Sequence, residues 1–258
     1  MDDFQYDSFL IDINQFNEIK ELGRGKFGSM ILSKKKDKDG NIVNYAIRDS
    51  QPEGRSSDAD TRLFFRELET FIKIRTHPVI CKFYGFSLQP QRIIFEYLSN
   101  GSLQKIFDSI IQGKKVVDFW NGTTKSKTVF GVACALLHLQ NQNIFHRYLS
   151  PSSILFDGNY EPRVVDFAYS KFENNDSTKT IISNSSPIYQ APEISTGNYT
   201  YLVDNFSYGV ILYQIVTGKE AFNSKLGQFK VSNLINSVKR PKLPDECPKL
   251  ARMINDLW

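Results

Sequence analysis

The sequence predicts an α+β protein in two parts, a small antiparallel sheet followed by a larger, mainly helical half. Three patterns predict it. Between Phe16 and Tyr97, short apolar runs are split by glycine and Asp-Gly turn signals. One helical stripe interrupts them, with Leu63, Phe64, Leu68, Phe71 and Ile72 at three- and four-residue spacing. Beyond Asn100-Gly101-Ser102 the period changes, and Thr124–Gln140 and Phe206–Thr217 both read as helices.

In chain order, residues 1–15 read as a short acidic leader, carrying Asp2, Asp3 and Asp7. Glu18 to Leu22 alternates polar and apolar residues; Gly23, Gly25 and Gly28 punctuate a turn, and Ser29 to Leu32 resumes extended chain. Asp39-Gly40 marks a hairpin loop flanked by Lys34, Lys35, Lys36 and Lys38, which reads as a solvated tip rather than an anion site. Asp60 to Arg75 is the one helix of this half; Cys81 to Leu88 and Arg92 to Tyr97 are further strands. In the second half, Val129, Val132, Ala133, Leu136 and Leu137 are the expected inward stripe of Thr124–Gln140, and Phe206–Thr217 is apolar enough to be buried. The order, sheet before helices, suggests a cleft between two lobes.

Composition excludes several classes. With 32 basic and 28 acidic residues among 258, the net charge of +4 is too mild to argue for nucleic acid. The acidic start lacks the basic and apolar segments of an export signal, and no apolar run is long enough to span a bilayer. Cys81, Cys134 and Cys247 are scattered and odd in number, so neither a disulfide framework nor a metal cluster is expected, and a cytoplasmic location is. Asn121-Gly-Thr and Asn198-Tyr-Thr match glycosylation acceptors, a pattern common by chance.

The chemistry-bearing motifs come in a telling order. Gly23-Arg-Gly-Lys-Phe-Gly28 suits a loop whose backbone approaches phosphates, and it lies between strands, where a dinucleotide fold would need a helix next. Tyr45-Ala-Ile-Arg48 follows, then Glu67 on the helix, Ile94-Phe-Glu-Tyr97 with Asn100-Gly-Ser-Leu103, His146-Arg-Tyr-Leu149, Asp166-Phe-Ala168, Ala191-Pro-Glu193 and Asp204. This series resembles the protein kinase superfamily over residues 16–258, with Asn100–Leu103 and Ser186–Tyr189 most similar to its tyrosine-kinase-like group and Pro151 to its serine/threonine type. The resemblance implies a two-lobed protein-kinase fold, N-lobe 16–97 and C-lobe 98–258. It implies ATP as ligand, held by Gly23, Gly25, Gly28, Met30, Ala46, Arg48, Glu67, Phe95, Leu98, Leu155 and Asp166, with Val165 also lining the adenine pocket and Phe95 as a bulky gatekeeper. Phe71, Phe83, His146 and Phe167 would stack as an apolar column, and Mg²⁺ would be held through Asp166 only.

Four departures converge on the reaction. Tyr148 stands where the family has its catalytic aspartate, and a phenol that titrates near pH ~10 is a poor base. Ser153 replaces the metal-holding asparagine, Arg48 the phosphate-pairing lysine, and Ala168 a glycine that would strain if it needed positive φ. Arg147 is retained and in the family can receive a phosphate from the activation segment, for which Ser170, Ser177, Thr178 and Thr180 are candidates, although a structural role is expected. Leu250–Trp258 resembles the helix before the family's final segment; that segment would carry the arginine partner of Glu193, so the C-lobe reads as lacking its last helices and Glu193 as lacking its partner. The expected function is a pseudokinase, a regulatory module that binds protein partners, binds ATP or not, and transfers little or no phosphate. An atypical active serine/threonine-type kinase and a non-functional truncated fragment are the alternatives. Neither nucleic acid nor membrane is expected as partner, and homo-association is open.

Overall fold

The computed structural model describes residues 6–25, 28–50, 58–173, 186–196, 200–223, 226–237, 240–243 and 248–257. The chain divides into two compact units, Met1–Ser99 and Asn100–Trp258. The fold is α+β, with the sheet in the first unit and most of the helix in the second.

The first unit is a five-stranded antiparallel sheet of spatial order β1-β2-β3-β5-β4 with one helix, α1. Its strands are β1 (Asn17–Gly25), β2 (Gly28–Lys36), β3 (Ile42–Asp49), β4 (Phe83–Leu88) and β5 (Gln91–Glu96). The β2–β3 hairpin closes where Asp37 Oδ1 accepts the Asp39 and Asn41 N–H groups, a side chain standing in for a turn carbonyl. Lys34, Lys36 and Lys38 are exposed there, and the Lys35 ammonium lies 5.0 Å from the Phe16 ring. Helix α1 (Asp58–Ile74) opens with Asp58 and Asp60, whose charges suit the positive end of the helix dipole. It buries Phe64, Leu68, Phe71 and Ile72; Leu63, expected on the same stripe, is only half-buried.

Residues 6–11, part of the 1–15 segment expected as a leader, pack on the sheet. Tyr6–Phe9 forms a 3-10 turn, and the Ile11 N–H donates to the Phe86 carbonyl at 2.8 Å. Gly85 makes room for them: a Cβ there would stand 2.4 Å from the Phe9 carbonyl oxygen.

The second unit is built around α4 (Leu202–Thr217), which begins four residues earlier than the apolar run predicts. Nearly every residue from Val203 to Ile215 is buried, and Gly218 ends the helix in the left-handed conformation at φ 66°. Helix α3 (Gly122–Asn141) is capped by Asn121, whose side chain accepts the Thr123 and Thr124 N–H groups. Its buried stripe is Thr124, Thr128, Val132, Ala135, Leu136 and Leu139. The expected stripe was rotated: Leu137 is 57% exposed, because Thr124 and Thr128 face inward, the Thr128 hydroxyl being satisfied by the Thr124 carbonyl at 2.8 Å. Tyr208 ties α4 to α3 by donating to the Val129 carbonyl. Helix α2 (Leu103–Ile111), α5 (Gln228–Asn236) and α6 (Pro248–Leu257) complete the helical set. Two small ribbons, β6 (Ile144–Phe145) with β9 (Lys171–Phe172) and β7 (Ile154–Phe156) with β8 (Pro162–Val164), bracket the loop 146–153.

Candidate active site

In the first unit, the candidate site residues lie on β2, β3, β5 and α1. Register places Ala46 opposite both Leu32 and Phe95, and Arg48 opposite both Met30 and Ile93, so these residues share one face of the sheet. Arg48 and Glu67 form an ion pair, with Glu67 only 2% exposed. Arginine at this position therefore keeps the cation–carboxylate link from β3 to α1. Phe95 is buried against Phe71, ring centroids 4.8 Å apart, and Phe71 stacks on Phe83 at 5.9 Å. Leu98 is buried and Met30 half-buried.

The glycines of the loop differ. Gly28 has φ 110°, and a Cβ would meet the Asp49 carbonyl oxygen at 1.9 Å, so glycine is required there by the sheet itself. Asp49 is fixed by Arg92, which also reaches Glu18. Gly23 has open space where its Cβ would stand, and Gly25 pairs with Gly28 across the hairpin. Lys26 and Phe27 lie outside the described residues.

In the second unit one carboxylate organises the loop. Asp204, in the first turn of α4, accepts the His146 N–H on Oδ2 and the Arg147 N–H on Oδ1, both at 2.7 Å. Arg147 is left-handed at φ 65°, a conformation that costs a bulky side chain about 1–2 kcal/mol, and it is 4% exposed. Burial pushes the Asp204 carboxyl up to about 6, against the two N–H bonds and the Arg147 charge. His146 is fully buried beside Phe167, ring centroids 4.8 Å apart. Its Nε2 lies 2.9 Å from the Val165 carbonyl, so that nitrogen carries the proton, leaving Nδ1 to accept the Tyr148 N–H at 3.3 Å. Burial pushes this imidazole down to about 4. His146 is thus a neutral linchpin of the loop.

Tyr148 is half-buried with its ring 5.2 Å from that of Tyr169. Burial, the Asp166 charge and Tyr169 raise the phenol further above its ordinary range, away from any role as a base. A cavity of about 180 Å³ opens beside it, with Ser150, Ser152, Ser186, Tyr189 and Gln190 in its lining. Ser153 is completely buried and its hydroxyl is used twice: it donates to the Ser150 carbonyl at 2.9 Å and accepts the Ser150 N–H at 3.0 Å. A hydroxyl so engaged does not fit the metal-holding role of an asparagine. Asp166 is left-handed at φ 68° and half-buried, and it is the carboxylate of this segment that could take one Mg²⁺.

Ala168 follows in a 3-10 turn, Phe167–Tyr169, and is not among the residues with positive φ. The strain that alanine would suffer in a left-handed conformation therefore does not arise. Leu155, in β7, and Val165, just after β8, are half-buried, and the Val165 N–H donates to the Ser153 carbonyl.

Two expectations are corrected. Ser170 is fully buried, its N–H bonded to the Phe167 carbonyl, and is no accessible phosphorylation site; Ser177, Thr178 and Thr180 lie outside the described residues, as do Asn198 and Cys247. Glu193 was expected to lack a cationic partner, yet its charge acts on Arg240, whose guanidinium lies 5.3 Å over the Phe206 ring and donates to the Ile235 carbonyl. Arg240 carried no sequence motif. Asp204 was legible as the last of the motifs in the series; the tilted contact of Tyr169 with Tyr148 had no signal at all.

Two outcomes follow from these pairs. Removing one partner of a buried ion pair strands the other charge, so Glu67→Ala costs about 3–5 kcal/mol, while Arg48→Met with Glu67→Leu recovers most of it; urea denaturation of both checks this. His146 resists protonation when folded but takes a proton when unfolded, so its contribution is present above pH ~6.5 and is lost as pH falls toward 4. Asp204 runs the opposite way, its burden relieved as pH falls through 6. The net slope is shallow in the parent, but the stability gap between parent and His146→Gln shrinks by about 2 kcal/mol from pH 7.5 to 5. Chemical denaturation at the two pH values measures it.

Comparison with known proteins agrees with this geometry. Residues 16–255 match the protein kinase domain family. A protein of Acanthamoeba polyphaga mimivirus that carries the name serine/threonine-protein kinase/receptor is 29% identical over 98% of this chain and 16% of its own length. The dual specificity protein kinase pyk3 of Dictyostelium discoideum is 29% identical over 93% of this chain and 17% of its own, and the brassinosteroid LRR receptor kinase BRL3 of Oryza sativa subsp. japonica 32% identical over 89% and 18%. The chain spans under a fifth of the length of these relatives. No helix among the described residues is long and apolar enough to cross a membrane. With its sheet, helices and loop motifs in place along residues 16–255, the chain belongs to the protein kinase domain family.

Proposed function

We propose that this chain is a pseudokinase, a cytoplasmic module that engages protein partners and transfers little or no phosphate. Tyr148 carries the reading. Phosphoryl transfer to a hydroxyl needs a group that orients and accepts the nucleophile's proton. The phenol at that position keeps its own proton, and its ring rests on Tyr169. The state of Ser153 supports the same reading, because its hydroxyl is consumed by its own turn.

Protein kinase domains as a family bind ATP with magnesium. Here the residues toward ATP are mixed: Arg48 is paired with Glu67, Gly23 leaves open space, and Asp166 remains as one metal ligand. Nucleotide as a regulatory ligand is compatible with that set; a two-metal site is not. Asp166 and the Arg48–Glu67 pair also favour a second reading, an atypical kinase of low activity working by positioning alone.

Restoring the missing groups separates the two. A Tyr148→Asp, Ser153→Asn chain is expected to transfer phosphate from ATP to a generic protein substrate at least about 100-fold faster than the parent, the span one general base supplies. A reverted chain that melts like the parent but is no faster would place the loss elsewhere and count against the role given to Tyr148.

A further inference from the structure

The N-terminal segment makes contacts that the proposed function leaves unused. Leu10 bridges Phe86 in parallel, next to the hydrogen bond from Ile11 to the Phe86 carbonyl. Two aromatic side chains point from this segment into the first unit. Tyr6 sets its ring edge-on to Phe65 of α1 and Phe86 of β4, centroids 6.3 and 6.2 Å away. Phe9 packs on Phe83 at 5.6 Å, with the Arg75 guanidinium 4.9 Å from its ring. The Tyr6 hydroxyl donates to Glu69 Oε1 at 3.1 Å. Tyr6 therefore touches α1 at Phe65 and Glu69, on either side of Glu67, and Glu67 is the residue that pairs with Arg48.

We infer that residues 6–11 are a strap docked in cis that holds α1 against β4, and that Tyr6 is a phosphorylation site whose modification releases it. The strap's backbone meets the sheet at the Leu10–Phe86 bridge and the Ile11 hydrogen bond. Its hold on α1 runs through the Tyr6 ring and hydroxyl, while the Phe9 ring packs on β4, and that hydroxyl points at a carboxylate. Burial and Glu69 push the phenol up to about 12, so it stays protonated and donates. Phosphorylation reverses the sign of the contact. The phenol oxygen attacks the γ-phosphorus of ATP in the site of a tyrosine-directed protein kinase; the new O–P bond replaces the bond to the β–γ bridging oxygen, ADP leaves, and the phenol proton passes to that enzyme's base. A group of charge about −1.5 to −2 then stands where the hydroxyl faced Glu69. Arg75, a guanidinium that touches the strap, is already held over Phe9 and on the Ile72 carbonyl. Repulsion and the cost of keeping a phosphate between Phe65 and Phe86 both favour release.

The test uses the full chain, a tyrosine-directed kinase and ATP–Mg²⁺, with site occupancy by mass spectrometry and hydrogen exchange of Asp58–Ile74. Phosphorylated Tyr6 is expected to speed exchange in α1 by at least about tenfold, as a lost tertiary anchor lowers the local opening energy. Tyr6→Glu is expected to act in the same direction, whereas Tyr6→Phe, which keeps the ring but cannot be modified, stays within about threefold of the parent. A phosphorylated chain whose α1 exchanges at the parent rate or more slowly overturns the inference. So does a Tyr6 that stays unmodified while Tyr160, 45% exposed in the same chain, is phosphorylated.

Discussion

Two backbone N–H groups ending on one buried carboxylate give the second unit its order. Asp204 takes the amides of His146 and Arg147 and so fixes the direction in which the loop leaves β6. Arg147 can then be left-handed, and His146 can turn its ring to join Val165 on one side and the Tyr148 amide on the other. None of these bonds uses the side chain at position 148 or the hydroxyl at position 153. The frame of the loop is thereby independent of the residues that would do its chemistry.

Under the proposed function, that independence would let a kinase domain lose its reaction without losing its fold. The substituted positions make contacts in their new form, while the Arg48 Nε has no hydrogen-bond partner among the described residues. Ser153 closes a reciprocal pair of hydrogen bonds with Ser150, Ala168 adopts a 3-10 turn without strain, and Arg48 pairs with Glu67. Tyr148 rests against Tyr169. Substitutions that left orphaned charges or buried donors would each cost several kcal/mol, a large share of the stability of any domain.

Strands, α1 and the buried character of α4 were legible because each has a strong period or a strong turn signal: Asp37–Asn41 closes a hairpin, and Phe64, Leu68 and Phe71 repeat on one face. The inward face of α3 was misread because periodicity weighs Leu137 above Thr128, whereas a threonine that bonds its own helix can sit inside. The site was legible as a string of motifs, since phosphate chemistry restricts residue types at fixed places. What the string does not encode is tertiary partnership. The reach of Arg240 toward Glu193, the ring of Tyr169 and the docking of Tyr6 on Phe65 depend on chain segments far apart in sequence, and no local pattern reports them.

The central claim is that the frame persists while phosphoryl transfer is lost. It is tested most directly by incubating the pure, cooperatively folded chain with γ-labelled ATP, Mg²⁺ and a protein substrate, beside an Asp166→Asn control. The account predicts label incorporation at the level of that control. Transfer well above it, abolished by the Asp166 substitution, would show that Tyr148 has not silenced the domain and would contradict the account.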